Sequence, residues 1–178
     1  MIGTSRGSAA SFCFNPHANE SKPWAMLHFA YGSNMDRDAM GRRCPGAVAI
    51  GAAALDGWRF IVTRDGYASV VPARGETVHG VLWRLGPRDL AALNAYESLD
   101  RGLYRRRMLA VSRGGRRVQA LVYVARDRYP GRPRPGYQDQ VIAAARAWDL
   151  SEDYVRALQR WLPSRLAAAR TPESGEAR

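Results

Sequence analysis

Between residues 47 and 125 the sequence is cut by Asp56-Gly57, Asp65-Gly66, the run 72–76 and Gly114-Gly115, and most of the stretches between the cuts are apolar or alternating. Asp-Gly and Gly-Gly supply the positive φ of tight turns, so this punctuation predicts hairpins and a meander of antiparallel strands. Residues 47–55 read as a small-residue strand. Trp58, Phe60 and Val62 alternate with Arg59, Ile61 and Thr63 as a second strand, and residues 67–71 read as a third. Residues 77–85 are the most strand-like stretch of all and belong at the centre of the sheet. Residues 104–111 and 116–125 form a last pair through Gly114-Gly115.

Helical periodicity brackets these strands. Residues 27–31 are an apolar opening strand that stops at Gly32, where Ser33 or Asn34 offers an N-cap and residues 36–43 a short helix. Pro87 in a first turn, with Leu90 and Leu93 three apart, predicts a helix over 87–96 that delivers Glu97 to its C-terminal end. From Tyr137 onward Val141, Ile142, Ala145 and Trp148 share a face, and Ser151 caps a further helix striped by Val155, Leu158, Trp161 and Leu162 and ended by Pro163. Such stripes are core. The expected fold is α+β: a curled, mostly antiparallel sheet or small β-barrel with flanking helices. Residues 1–25 are polar, small and aperiodic, the composition of a disordered extension; 26–163 make one domain, with Met26 at its start, and 164–178 a frayed tail.

Composition excludes several function classes. No run reaches the length of a membrane span, and the first 25 residues lack the continuous apolar core of a signal peptide, so the cytoplasm is the default expectation. Cys13 and Cys44 cannot build a disulfide framework, and His17, His28 and His79 lack the spacing of metal ligands. His28 and His79 read as structural hydrogen-bonders in strands. The net charge of +11 is concentrated over residues 101–134, which hold eleven arginines against the single acid Asp127. Base-stacking aromatics are not interleaved with them, so the stretch reads as a solvated basic face, and no nucleic-acid partner is expected.

Chemistry concentrates at two places. The turn Tyr31-Gly32-Ser33-Asn34 leaves backbone N–H groups free ahead of a helix, a geometry that holds a carboxylate or an oxyanion. Glu97 ends an apolar helical face among Leu93, Tyr96 and Leu99. A carboxylate there is disfavoured by the helix dipole and by desolvation, and its pKa rises towards values useful for proton transfer.

Taken in order, Phe29-Ala30-Tyr31-Gly32-Ser33-Asn34, the strand His79-Gly80-Val81-Leu82-Trp83, Leu93 with Glu97, Tyr104 with Arg106, and Pro133-Arg134-Pro135-Gly136-Tyr137 resemble the γ-glutamylcyclotransferase family. This is the AIG2-like fold that includes the butirosin-pathway cyclotransferase, and the similarity runs from about Phe29 to Leu162. The pattern departs at Ser98, where glycine often follows the acid, and at the basic run Arg105-Arg106-Arg107. The resemblance implies a general acid/base at Glu97, a substrate-binding turn formed by Tyr31, Gly32, Ser33 and Asn34, and supporting contacts from Tyr104 and Tyr137. It also implies a cofactor-independent reaction on a small γ-glutamyl substrate, in which the α-amine closes on the γ-carbonyl and 5-oxoproline leaves. Holding the substrate folded supplies about 7 kcal/mol or more of the barrier reduction. Two other readings stay open: a carboxylate-binding module without turnover, and a nucleic-acid binder using residues 101–134. The leaving group and the oligomeric state are open as well, and arginines brought to the pocket would favour an anionic leaving portion.

Overall fold

The protein is described from a computed structural model covering residues 25–97 and 102–162. The expected extension up to residue 24, with Cys13 and His17, lies outside these residues, as do Ser98 and Leu99 with most of the turn that follows, Pro163 and the C-terminal tail. The described chain runs β1 (Met26–Ala30), a 3₁₀ turn (Ser33–Met35), α1 (Arg37–Arg43), β2 (Val48–Val62), β3 (Ala68–Leu85) and α2 (Pro87–Tyr96). β4 (Tyr104–Arg113), β5 (Arg116–Ala125), α3 (Tyr137–Ala147) and α4 (Glu152–Gln159) complete it.

The five strands close into a barrel in the order β1-β3-β2-β4-β5. All neighbours are antiparallel except at the closing seam, where β1 meets β5 in parallel through His28 and Leu121. β3 lies between β1 and β2, as its apolar run demands. The core is built from buried side chains on both faces of the strands, among them Phe29, Leu55, Val62, Val78, Val81, Leu85 and Val122. Burying each of these side chains contributes about 1.5–3 kcal/mol.

Two expected turns are absent. β2 and β3 are single strands of 15 and 18 residues, and the ladder continues on both sides of Asp56-Gly57 and of residues 72–76. Asp56 pairs with Thr77 and Trp58 with Pro72, so residues 73–76 face Gly57 alone as a bulge. Gly57 at φ +80° and Gly75 at φ +83° absorb the distortion. Positive φ is demanded by bulges as well as by hairpins, and this is why the sequence signal pointed to a turn. Asp56 holds the corner by accepting from Thr77 Oγ1 at 3.1 Å and Ser112 Oγ at 2.9 Å. Asp65-Gly66 and Gly114-Gly115 are true hairpin turns, with Gly66 at φ +85° and the two terminal glycines at +54° and +75°.

At the β1–β3 contact the backbones approach so closely that a Cβ on Gly80 would stand 2.2 Å from the Ala30 carbonyl oxygen. Helices α3 and α4 cover the barrel from one side. Trp148 Nε1 donates to the Met35 carbonyl at 2.7 Å, Gln138 Nε2 to that of Leu158 at 2.8 Å, and Ser151 caps α4 as its sequence position predicts. No helix among the described residues is long and apolar enough to cross a membrane.

Candidate active site

β1 ends at Ala30, and the chain turns through Tyr31 and Gly32 into the 3₁₀ turn. Gly32 is not left-handed: its φ is −119°. Glycine is required by proximity, since a Cβ would lie 2.9 Å from the Tyr137 hydroxyl oxygen and 3.0 Å from Ala68 Cβ. Neither Ser33 nor Asn34 caps the following helix. Asp36 does, accepting from the Ala39 amide at 2.7 Å, so the positive end of α1 is already occupied by its own carboxylate. The dipole of α1 is therefore not left free for a ligand at the loop.

What frees Asn34 from capping is a partner 63 residues away. Its Nδ2 donates to Glu97 Oε1 at 2.6 Å, while its Oδ1 accepts from Arg43 Nη1 at 2.6 Å. Arg43, in the last turn of α1, also donates through Nη2 to the Tyr96 hydroxyl at 2.6 Å and lies over that ring. Because a guanidinium only donates, it fixes which end of the Asn34 amide points at Glu97. Asn34 and Arg43 thus act on the acid together.

Glu97 caps the C-terminal end of α2, with its own amide bonded to the Leu93 carbonyl at 2.9 Å. Burial of its carboxyl pushes the pKa up to about 7, against the opposing pull of the Asn34 donor and the Arg43 charge. Oε2 has no hydrogen-bond partner among the described residues. A buried carboxyl whose pKa is raised to about 7 can take up and return a proton near neutrality.

A cavity of about 340 Å³ joins this carboxylate to the loop residues 31–34 and to Tyr104 and Tyr137, so all the residues singled out in the sequence share one wall or another of it. Its size suits a small molecule. The tyrosines are not equivalent. Tyr104 donates its hydroxyl proton to the Ala68 carbonyl at 2.8 Å, so towards a ligand it can only accept. Tyr137 accepts from the Ala68 amide at 3.1 Å and is also approached by the Ser33 backbone, which leaves its own proton free. Tyr31 donates to the Tyr123 carbonyl and presents its ring. Burial raises the pKa of all three, that of Tyr137 to about 12, so they remain neutral phenols.

His28 makes the structural hydrogen bond expected of it and also lines the cavity. Its Nδ1 lies 3.0 Å from the Leu121 carbonyl, which fixes the proton on that nitrogen, and burial lowers its pKa to about 4. Arg43, Tyr67, Tyr123 and Arg134 were not recognised from sequence as site residues. Among 26 arginines no local pattern distinguishes the two that matter. The basic run Arg105-Arg106-Arg107 on β4 is exposed.

The family described as "Gamma-glutamyl cyclotransferase, AIG2-like" matches residues 28–150 of the chain. A gamma-glutamylcyclotransferase of Mus musculus is 25% identical over 162 residues, which are 85% of this chain and 85% of that protein. A solved structure named "Gamma-glutamyl cyclotransferase" has the same fold, with a TM-score of 0.74 at 21% identity over 86% of this chain and 94% of its own. The crystal structure of YkqA from Bacillus subtilis superposes with a TM-score of 0.67 at 26% identity, covering 76% of this chain and 53% of that one.

Proposed function

The chain belongs to the gamma-glutamyl cyclotransferase, AIG2-like, family, and from that membership we propose that it converts a γ-glutamyl compound into 5-oxoproline and a free amine or amino acid. The observation that carries this reading is Glu97, poised near neutral pH with Oε2 open to a cavity shared with the loop 31–34. The substrate binds folded, with its α-ammonium at Oε2 and its γ-carbonyl towards the loop. Glu97 accepts a proton as the α-nitrogen attacks the γ-carbon. One C–N bond forms, closing the five-membered ring, and the carbonyl π-pair moves to oxygen.

The oxyanion of this tetrahedral intermediate is held by the loop amides of Gly32 and Asn34 and by the free proton of Tyr137. Donors of this kind contribute on the order of 3 kcal/mol each when aimed at the developing charge. As the pair returns, the original amide C–N bond breaks. Glu97 then passes its proton to the departing nitrogen, takes the remaining extra proton from the ring nitrogen and gives it up to the released amine, which leaves as an ammonium. One carboxyl thus serves both halves of the reaction and is restored ionised at the end. Neither a cofactor nor an enzyme nucleophile is required, since both reacting groups belong to one molecule.

Incubating the protein with a panel of γ-glutamyl amino acids, peptides and amines and assaying 5-oxoproline by mass spectrometry tests the proposal. Release from at least one of them, abolished in Glu97→Gln, is the expected result. Saturable binding of these compounds with no ring closure would instead make the site a receptor for the γ-glutamyl group.

A further inference from the structure

Apart from Glu97, the one formally charged side chain lining the cavity among the described residues is Arg134, and it is exposed where the tyrosine walls meet solvent. Its position is set by the β2–β3 hairpin. The Arg134 amide donates to the Gly66 carbonyl at 3.2 Å, and Nε to the Asp65 carbonyl at 3.1 Å. The guanidinium lies 4.8 Å from the centre of the Tyr67 ring, which in turn packs edge-on against Tyr137 at 5.3 Å. Just before it, Gly131 donates to the Val62 carbonyl at 2.8 Å and approaches Thr63 so closely that a Cβ would meet its carbonyl oxygen at 2.4 Å. The arginine is therefore held before any ligand arrives.

Both Nη groups are without partners among the described residues, while Nε is engaged. What remains available is the end-on pair of amino groups, which matches the two oxygens of a carboxylate. Resting on the proposed reaction, we infer that Arg134 binds the carboxylate of the leaving amino acid and makes the protein selective for γ-glutamyl amino acids and peptides over γ-glutamylamines. The reacting end of the substrate is drawn inwards by the loop 31–34 and Glu97, so the leaving portion is the part that extends towards the exposed side of the cavity. A leaving group ending in an ammonium would meet a like charge there. The substrate's other carboxylate, on the glutamyl α-carbon, travels with the reacting end and differs from the first in a way that kinetics can separate.

The test compares γ-glutamylglycine with γ-glutamylglycinamide, which differ only in that terminal charge, as substrates for the wild-type protein, Arg134→Gln and Arg134→Lys. The wild type is expected to favour the acid in kcat/KM by about tenfold or more, as for a charge-assisted pair. Arg134→Gln should reduce this preference to within about twofold to threefold by losing rate on the acid alone, and Arg134→Lys should retain part of it. An equal loss on both substrates would assign Arg134 to the glutamyl carboxylate or to loop structure and overturn the inference. So would a wild type that does not discriminate. If the wild type releases 5-oxoproline from neither compound nor from the wider panel, the cyclotransferase reading itself fails, a result distinct from turnover without discrimination.

Discussion

The side-chain amide of Asn34 donates to Oε1 of Glu97 at 2.6 Å with its orientation fixed by Arg43 on the other side. This bond favours the ionised acid and opposes the effect of burial, so the pKa near 7 is a balance of the two. If ionised Glu97 is the base, kcat/KM should rise with pH through about 7 and level off above it. Asn34→Ala removes the donor, and the midpoint of that limb should move upwards, with the activity lost at pH 6 far exceeding that lost at pH 9. A pH–rate profile of wild type and variant reads the shift directly.

Arg43 acts on the acid through Asn34 and through its own charge. Arg43→Met should move the same limb in the same direction, and Arg43→Lys should restore part of the charge without the two-point hold on Asn34 and Tyr96. Because both routes converge on one carboxyl, the shift in Asn34→Ala/Arg43→Met should be less than the sum of the single shifts. Additive shifts would show that the two residues act independently.

Glu97→Gln should lower 5-oxoproline formation by about 10²–10⁴-fold, the usual scale of a lost general acid/base. Its effect on stability has the opposite sign. A carboxyl whose folded pKa is raised from 4.5 to about 7 contributes stability below its unfolded value, and that contribution disappears as pH rises through the folded one. The wild type therefore carries a cost of up to about 3 kcal/mol at pH 8 that the uncharged amide avoids. Thermal melts at pH 4.5 and pH 8 should show the variant gaining Tm relative to wild type only at the higher pH.

Gly32→Ala places a methyl group 2.9 Å from the Tyr137 hydroxyl oxygen and 3.0 Å from Ala68 Cβ. A cost of about 1–3 kcal/mol is expected, with loss of turnover as the loop and the tyrosine separate. Tyr137→Phe removes one of the two colliding atoms, so the pair should be less destabilised than the separate losses add up to. Chemical denaturation of the four proteins measures this coupling.

Gly80 and Gly75 offer a control on what makes a glycine irreplaceable. Gly80→Ala would press a Cβ to 2.2 Å from the Ala30 carbonyl oxygen, a backbone atom of the closing strand, and should prevent the native barrel from forming. Gly75→Ala meets nothing within 4 Å and pays only for its φ of +83°, about 1–2 kcal/mol. Soluble yield and melting temperature separate the two.

The strands and helices were legible because their signals are local. Pro87, Ser151, Asp65-Gly66 and Gly114-Gly115 each act on the backbone within a few residues, and the structure uses them as expected. Asp56-Gly57 was ambiguous, because the same positive φ serves a bulge when the strand opposite has residues to spare. For the cap of α1 the sequence pointed to Ser33 or Asn34, and the structure uses Asp36 instead. Local preference cannot choose among them once Asn34 has been claimed from 63 residues away by Glu97.

The cavity was legible in Glu97 and the loop 31–34 and hidden in the arginines beside them. Glu97 and the loop 31–34 carry unusual chemistry at unusual places in the chain, and the cavity brings them together with Tyr104 and Tyr137. Arg43 and Arg134 have no such mark. Each is one arginine in an arginine-rich chain, distinguished only by what the fold sets in front of it: an asparagine oxygen for one, a hairpin carbonyl and a tyrosine face for the other.

The parallel seam between β1 and β5 joins residues 93 apart, through the His28 ring and the Leu121 carbonyl. Tyr31 directly follows one of these strands and Tyr123 lies within the other, so closing this seam also brings together two walls of the cavity. Catalytic competence should vanish in one cooperative step with the tertiary structure, and a nascent polypeptide should acquire it only after its final strand has emerged and docked.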